Sequence, residues 1–264
     1  MTYTVNCSIL FTELPLLDRP AAAKAAGFDA VEFWWPFPTS TPTAAEIQEF
    51  EDSITSAGVQ LTGLNFNAGD MPGGDRGLVS WPARREEFRA NVPVVVAIGD
   101  RLGCKAFNAL YGNRVEGVSA EEQDALAIDN LVHAANAVAA IGGTVLLEPV
   151  SGAERYPLKT AQDALNIIAE VHARGASNIK LLADFYHLSV NGDDVGAVID
   201  AHAQDFGHIQ IADAPGRGAP GSGNLPLTEW IERSRTLGYE GLIGLEYKTP
   251  AEQAFTWVTT ASVK

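Results

Sequence analysis

Eight short hydrophobic runs, rich in β-branched and aromatic residues, alternate along the chain with longer segments of helical periodicity. Such alternation predicts parallel strands connected by helices, and several helix-like segments end in glycine just before the next run. The runs begin at Tyr3, Ala30, Val59, Lys105, Thr144, Ile179, His208 and Leu242. The sequence therefore indicates an α/β fold built from repeated βα units.

The number and length of these units favour a closed barrel over an open sheet. The 264 residues spread over eight units give about 33 residues per unit, and a (β/α)8 TIM barrel typically takes ~250 residues. An open doubly wound sheet normally has a glycine-rich turn after its first strand, but residues 8–17 contain no glycine. No linker rich in Ser, Gly or Pro interrupts the chain, so we expect one TIM-barrel domain over residues 1–264.

Helix boundaries can be read at several positions. Thr43 is followed three residues later by Glu46, and Ser119 by Glu122, which is the spacing of a capping box. The last helix-like segment covers residues 251–263, and we expect it to close the chain as a helix.

Composition limits the partners that this chain can have. The net charge is −15, whereas phosphate contacts need clustered Lys and Arg, so we expect a small-molecule partner and neither nucleic acid nor membrane. The cysteines, Cys7 and Cys104, lie in apolar runs and are too few for a disulfide framework. No signal peptide or membrane-spanning stretch is recognisable. We therefore expect a cytoplasmic protein.

Polar residues stand at the ends of the last four hydrophobic runs, namely Glu148, Asp184, Gln210 and Glu246. In a barrel these side chains meet at the carboxyl ends of the strands, where chemistry is carried. Three carboxylates would repel one another there unless a cation lay between them. Oxygen ligands without His or Cys favour Mg²⁺ or Mn²⁺ over Zn²⁺. The sequence thus predicts a divalent-metal site formed by these four residues.

This arrangement suits proton transfer between adjacent carbons. Four protein ligands leave about two of six octahedral positions for oxygens of a hydroxy-carbonyl substrate. Chelation of that kind acidifies the neighbouring C–H and stabilises an enediolate. Glu148 and Glu246, from strands five and eight, are expected to act from opposite sides as general base and general acid.

Two further residues fit the same chemistry. His187 lies just beyond the strand that carries Asp184, and we expect it to donate a hydrogen bond to the developing alkoxide. Arg217 lies in the glycine-rich loop after the seventh run and suits bidentate binding of a substrate carboxylate. We interpret the other histidines as structural or surface groups: His133, His172, His202 and His208.

Two other groups of residues are candidates for lining the site, although barrel-rim packing explains the first equally well and solvated loop residues are the default interpretation of the second. One group is aromatic and follows the second run: Trp34, Trp35 and Phe37. The other lies in the long loop after the third run: Asn67, Asp70 and Arg76.

Six segments occur in a characteristic order over essentially the whole chain: NAGDMPGGDRG, REEFR, LEPV, ADFYH, HIQIADAPGRGAPGSG and GLEYK. In these six segments the sequence resembles the hydroxypyruvate isomerase family of xylose-isomerase-like barrels. The resemblance implies isomerisation of hydroxypyruvate to 2-hydroxy-3-oxopropanoate (tartronate semialdehyde), or of a homologous 2-oxo acid such as 2-oxo-tetronate. The family's catalytic acids match Glu148 and Glu246, and its metal-site residues match those two with Asp184 and Gln210. Family analogy also permits a homodimer.

The sequence departs from the family pattern at two places. Ala219 and Asn224 stand where family members often carry carboxylates in the loop GAPGSGN. After LEPV, the segment 151–153 reads Ser-Gly-Ala in place of an Asn and a large side chain, which should widen the pocket beside Glu148. Substrate identity is the property that these changes affect most.

Other functions remain open at this stage. A ketose 3-epimerase would use the same chemistry on a neutral sugar, although Gln210 stands where the epimerase relatives have His. A hydrolase of the endonuclease branch would need additional His ligands and a cationic face. A barrel that binds a sugar acid without turnover is a further alternative.

Overall fold

The computed structural model describes residues 2–258 of the chain. All eight expected strands are present, and they form a closed parallel barrel in sequential order in which β8 pairs with β1. The strands are β1 Tyr3–Asn6, β2 Ala30–Phe33, β3 Gln60–Asn65, β4 Ala106–Asn108, β5 Thr144–Leu147, β6 Ile179–Asp184, β7 Phe206–Ile211 and β8 Ile243–Leu245. The TIM-barrel prediction is therefore confirmed.

Helices connect the strands around the outside of the barrel. They are α1 Arg19–Ala25, α2 Ala44–Ala57, α3 Arg85–Leu102, α4 Ala120–Ala139, α5 Ala161–Ala173, α6 Phe185–Val190, α7 Val195–His202 and α8 Leu227–Thr236. The connection between β6 and β7 contains two helices, where the sequence indicated one. Within residues 2–258, no helix combines the length and the apolar character that a membrane crossing requires.

The helix expected over residues 251–263 is wrong for the part that the structure describes. That part contains one 3-10 turn, Ala251–Gln253, followed by turns, and residues 259–263 lie outside the described range. Its aromatic side chains instead pack against the barrel, Phe255 on Phe28 and Trp257 on Tyr3. These tertiary contacts outweigh the helical periodicity.

The predicted capping box is complete at α2, whereas only one of its two hydrogen bonds forms at α4. At α2, Thr43 Oγ1 accepts the N–H of Glu46 at 3.3 Å, and the Glu46 carboxylate accepts the N–H of Thr43 at 2.7 Å. A complete cap of this kind contributes about 1 kcal/mol. At α4, Ser119 Oγ accepts the N–H of Glu122 at 3.1 Å, which is only one half of the motif.

Strand side chains are buried on both faces, because helices cover the outside of the barrel and side chains fill the inside. Val5, Leu61 and Leu181 are all completely buried. Each such side chain contributes about 1.5–3 kcal/mol by leaving water. Both cysteines are buried free thiols, and burial raises the pKa of Cys104 to about 12. This packing makes the strands a rigid base for the side chains at their carboxyl ends.

Candidate active site

A cavity of about 810 Å³ opens at the carboxyl ends of the strands. Its size falls within the range of pockets that bury small-molecule ligands. Four of the residues singled out for chemistry line it, namely Glu148, His187, Arg217 and Glu246. The aromatic and loop candidates line it as well: Trp34, Trp35, Phe37, Asn67, Asp70 and Arg76.

Glu148 directly follows β5 and is 5% exposed. Its Oε2 accepts a hydrogen bond from Asn108 Nδ2 at 2.7 Å. Burial, and next the charge of Asp184, raises the pKa of Glu148 to about 8. A carboxyl group with a pKa near neutrality can both release and take up a proton under physiological conditions.

Glu246 occupies the equivalent position after β8 and is 4% exposed. Its Oε2 accepts from Asn6 Nδ2 at 3.0 Å, and its Oε1 pairs with an Arg217 guanidinium nitrogen at 2.5 Å. Burial raises the pKa of Glu246 well above its ordinary value, although Arg217 opposes this shift. The cavity therefore contains two buried carboxyls with raised pKa values.

Asp184 ends β6 and is completely buried. Its Oδ1 caps helix α6 by accepting the backbone N–H of Tyr186 at 2.8 Å and that of His187 at 3.1 Å. Its Oδ2 has no hydrogen-bond partner among the described residues. A buried carboxylate oxygen without a donor is costly, so this atom calls for a ligand that carries positive charge.

His187 lies on the first turn of α6, and a hydrogen bond to Nδ1 fixes the orientation of its ring. The backbone N–H of Ser151 donates to Nδ1 at 3.0 Å, so Nδ1 is an acceptor. Burial lowers the pKa of His187 to about 4, which leaves the ring neutral with its proton on Nε2. Nε2 lies 3.8 Å from Glu148 Oε1 and 3.7 Å from Asp184 Oδ2. The ring thus presents a donor to the acidic cluster.

The cluster has the properties of a site for a hard cation. Glu148, Asp184 and His187 each have a potential ligand atom, and these atoms all lie within 4.8 Å of one another. Because His187 presents N–H, we assign it as a donor and leave the oxygens as ligands. Gln210 Oε1 is another buried oxygen without a partner in the described range. Unpaired oxygens of this type fit Mg²⁺ or Mn²⁺.

Arg217 is held close to the acidic cluster. Its guanidinium pairs with Glu246, lies 3.7 Å from Asp184 Oδ2 and stacks over Tyr186 at 5.5 Å. Burial lowers the pKa of Arg217, but Glu246, Asp184 and Glu148 outweigh that effect and raise it. Its backbone adopts a left-handed conformation with φ of 57°, and its carbonyl accepts the Lys248 N–H at 2.7 Å. The arginine is thus fixed by both backbone and side chain.

The loop that carries Arg217 is organised by Asp213, which is 1% exposed. Asp213 Oδ1 accepts the N–H groups of Ala214 and Leu225, and Oδ2 those of Gly221 and Gly223, at 2.8–3.0 Å. The loop contains no helix, as its glycine content predicted.

Gln210 lies below the cavity rather than in its wall. There it belongs to a polar layer inside the barrel with Asn6, Glu32 and His208, which are all buried. The sequence interpretation missed Glu32, Asn6 and Asn108 as groups that contact site residues. The available signal was a glutamate inside the apolar run AVEFWW and asparagines at the ends of strands.

Comparison with known proteins agrees with this geometry. A family model described as a xylose isomerase-like TIM barrel matches residues 20–261. A Streptomyces coelicolor protein named putative hydroxypyruvate isomerase is 54% identical, over 97% of this chain and 95% of the relative. Hydroxypyruvate isomerase of Escherichia coli is 32% identical, over 98% of each chain. A 2-oxo-tetronate isomerase of Cupriavidus necator is 36% identical, over 94% of this chain and 93% of the relative.

Solved structures share the fold. A crystal structure described as an AP endonuclease, family 2, from Brucella melitensis superposes with a TM-score of 0.87 at 27% identity. The match covers 97% of this chain and 98% of that chain. Because sequence similarity to named isomerases extends over nearly the whole closed barrel, the chain belongs to the hydroxypyruvate isomerase family of xylose isomerase-like TIM barrels and is an isomerase.

Proposed function

We propose that this isomerase interconverts hydroxypyruvate and 2-hydroxy-3-oxopropanoate, or a homologous 2-oxo acid such as 2-oxo-tetronate. Relatives named for these two activities support the proposal. The observation that carries it is the pair of buried carboxyls with raised pKa values, Glu148 and Glu246, in one cavity with an arginine. The cavity of about 810 Å³ accommodates acids longer than three carbons.

The reaction needs one proton removed from carbon and one delivered to its neighbour. In the direction from hydroxypyruvate, the C3–H bond breaks, a C2–H bond forms, and the hydroxyl proton moves from the C3 oxygen to the C2 oxygen. Glu148 is the proposed base, because its Oε1 accepts no hydrogen bond from the described residues. His187 Nε2 lies 3.8 Å from this oxygen, which is too far for a hydrogen bond. Glu246 is the proposed acid, because its pKa is already raised by burial and the opposing effect of Arg217 is lost once the substrate carboxylate binds that guanidinium.

His187 stabilises the oxygen on which negative charge develops. Its Nε2–H is directed at the acidic cluster, and the Ser151 N–H at Nδ1 prevents the ring from turning this proton away. A fixed donor at a developing alkoxide lowers the barrier, because no reorganisation is needed when the charge forms.

The divalent metal is part of the proposal. Glu148, Asp184, Gln210 and Glu246 would hold Mg²⁺ or Mn²⁺, and the unpaired Asp184 Oδ2 and Gln210 Oε1 support this assignment. When bound, the ion polarises the substrate carbonyl and acidifies the adjacent C–H.

Arginines in the cavity select for an acid. Arg217 is the proposed contact of the substrate carboxylate, which would compete with Glu246 for the guanidinium and release Glu246 for proton transfer. Arg76 also lines the cavity and, among the described residues, has no carboxylate within 4.0 Å. Two backbone carbonyls, of Met71 and Asp75, accept from its guanidinium and fix it in place. A neutral ketose would leave Arg76 without a carboxylate partner and Arg217 paired with Glu246.

Exchange of substrate protons with solvent tests the acid–base pair. Glu148→Gln and Glu246→Gln should each reduce exchange into hydroxypyruvate by about 10²–10⁴-fold, the usual contribution of a positioned acid or base. Glu51→Gln is the matched control, since Glu51 is a buried carboxylate on α2 that pairs with Arg101 outside the cavity. Full exchange in either site variant would remove that carboxyl from the mechanism.

A substrate panel tests the rest of the proposal. Acids and ketoses of three to six carbons should be compared with and without EDTA, followed by addition of Mg²⁺ or Mn²⁺. We expect turnover of 2-oxo acids that EDTA abolishes and the metal restores. Faster turnover of D-tagatose or D-psicose would instead establish a sugar epimerase, and activity unaffected by EDTA would contradict the metal site.

A further inference from the structure

Glu32 lies inside the barrel beneath the active site, and the proposed chemistry does not use it. This β2 side chain is 3% exposed. Its Oε1 accepts from Gln210 Nε2 at 2.6 Å and from Asn6 Nδ2 at 3.2 Å, and its Oε2 pairs with His208 Nε2 at 2.7 Å. One buried carboxylate therefore joins β2 to β1 and β7.

The carboxylate determines which way the Gln210 amide faces. Glu32 Oε1 already accepts an N–H of Asn6, and a carbonyl oxygen has no proton to donate to it, so Gln210 must present its NH₂ group to Glu32. This turns Gln210 Oε1 away from Glu32, and Oε1 remains buried without a donor in the described part of the chain. The unpaired oxygen that fits a metal is thus a consequence of the bond to Glu32.

Glu32 also influences the orientation of Glu246, because Asn6 donates a hydrogen bond to each of the two carboxylates. The two N–H groups of Asn6 Nδ2 go to Glu32 Oε1 and Glu246 Oε2. Asn6 Oδ1 accepts the N–H of Ser8 at 3.0 Å, so the amide cannot rotate without losing all three bonds. Glu32 therefore fixes the orientation of the proposed acid from below.

Glycines on two neighbouring strands leave space for the side chains of this hydrogen-bond network. A Cβ on Gly244 of β8 would lie 2.8 Å from Glu32 Oε1 and 2.7 Å from Gln210 Cγ. On the other side, a Cβ on Gly63 of β3 would lie 3.1 Å from Glu32 Cβ. The two glycines allow the polar layer to exist inside an otherwise apolar barrel.

We infer that Glu32 is a positioning residue that turns the Gln210 carbonyl toward the metal site and holds Glu246 in place for proton transfer. This inference rests on the proposed metal-assisted function. Groups that orient metal ligands typically contribute about 10–100-fold to metal affinity.

Mn²⁺ binding to the full-length protein, measured by titration calorimetry, tests this role independently of activity. Glu32→Ala should weaken Mn²⁺ binding by about 10–100-fold. Glu32→Asp keeps the charge but shortens the side chain, and it should show a similar loss. Glu32→Gln should bind within about threefold of wild type, because its oxygen can face Gln210 and Asn6 while its NH₂ faces His208 Nε2, which becomes an acceptor when the ring proton moves to Nδ1.

A merely structural role predicts a different pattern. Glu51→Ala removes another buried carboxylate and should lower thermal stability while leaving Mn²⁺ affinity unchanged. In a Gln210→Ala background, Glu32→Ala should cause little further loss of affinity, since the residue that it orients is gone.

Each outcome decides between the two roles. Wild-type Mn²⁺ affinity in folded Glu32→Ala, or in the Asp variant if the Ala variant does not fold, would overturn the positioning role and leave the metal site intact. Absence of Mn²⁺ binding to the wild-type protein would overturn the metal site, and the inference with it, before any variant is compared.

Discussion

Two buried aspartates near the carboxyl ends of neighbouring strands, Asp184 and Asp213, are partnered in opposite ways. Asp213 is 1% exposed, and its two oxygens accept four backbone N–H groups of a single loop. Asp184 is completely buried, and only its Oδ1 is used, by two N–H groups of α6. Its Oδ2 lacks a donor in the described residues.

We propose that this difference separates a structural carboxylate from a metal-binding one. The fully satisfied Asp213 stabilises the loop that holds Arg217, whereas Asp184 would use its unpaired oxygen for the proposed metal. Burial alone does not distinguish them, because both side chains are almost inaccessible. The unpaired Oδ2 of Asp184 distinguishes them, because a buried oxygen without a hydrogen-bond donor persists only where another interaction compensates its energetic cost.

The largest effect is expected from Asp184→Asn. Asn is as good a helix cap as Asp, so α6 should keep its N-terminus. Losing the charge relieves repulsion with Glu148 and also removes the pair with Arg217 at 3.7 Å, two effects that oppose each other, so the metal-free protein should be about as stable as wild type. Mn²⁺ affinity should fall by about 100-fold or more, ~2.7 kcal/mol.

Titration calorimetry and thermal unfolding of the same preparation measure these two properties. Lower stability together with unchanged Mn²⁺ affinity would make Asp184 a structural group like Asp213, and the distinction between them would fail.

Asp213→Asn should give the opposite result. The NH₂ group of Asn would face two backbone N–H groups, and the hydrogen bonds assisted by charge would be lost. We expect the free energy of unfolding to fall by about 2 kcal/mol, within the range for hydrogen bonds to a charged group. Denaturant unfolding measures this loss, and Mn²⁺ binding at low temperature is the control that should stay unchanged.

The pH dependence of metal binding is the third test. Because the pKa of Glu148 is raised to about 8 in the metal-free site, a cation must displace a proton below that pH. The Glu148 proton alone should make Mn²⁺ affinity rise between pH 6 and 8 by about tenfold per pH unit, and its contribution should level off above pH 8.

Calorimetry in buffers of different ionisation enthalpy counts the protons released. Glu148→Gln should remove the part of this pH dependence that the Glu148 proton causes and leave the part due to Glu246, whose pKa is also raised, whereas Asp213→Asn should retain the whole dependence. A pH-independent affinity in the wild-type protein would show that Glu148 is already ionised before the metal binds.

The fold and the rim of the site could be predicted from sequence because they depend on local patterns. Hydrophobic runs and their spacing predict eight strands, and Glu148, Asp184 and Glu246 follow runs whose carboxyl ends a barrel brings together. Of the two helices between β6 and β7, only α7 was predicted, since α6 is six residues long and depends on the Asp184 cap.

The layer beneath the rim depends on contacts between distant segments. Glu32 and Gln210 are separated by 178 positions in the chain, and His208 was interpreted as a structural or surface group with no partner named. Whether a carboxylate oxygen is satisfied follows from such contacts and not from residue type. Sequence therefore indicates where the charges lie, and the structure shows which of them are free.

The smallest effect is expected from Ser151→Ala, which removes one of the two hydrogen-bond partners of His187 Nδ1. His187 Nδ1 lies 2.7 Å from Ser151 Oγ and 3.0 Å from the Ser151 N–H. The backbone N–H survives the substitution and still requires Nδ1 to accept, so the tautomer should not change. Turnover should fall no more than about fivefold, because one neutral hydrogen bond contributes only about 1 kcal/mol. Nitrogen NMR of His187 reports the tautomer directly, and a shift of the proton to Nδ1 would show that the hydroxyl, rather than the backbone, orients the ring.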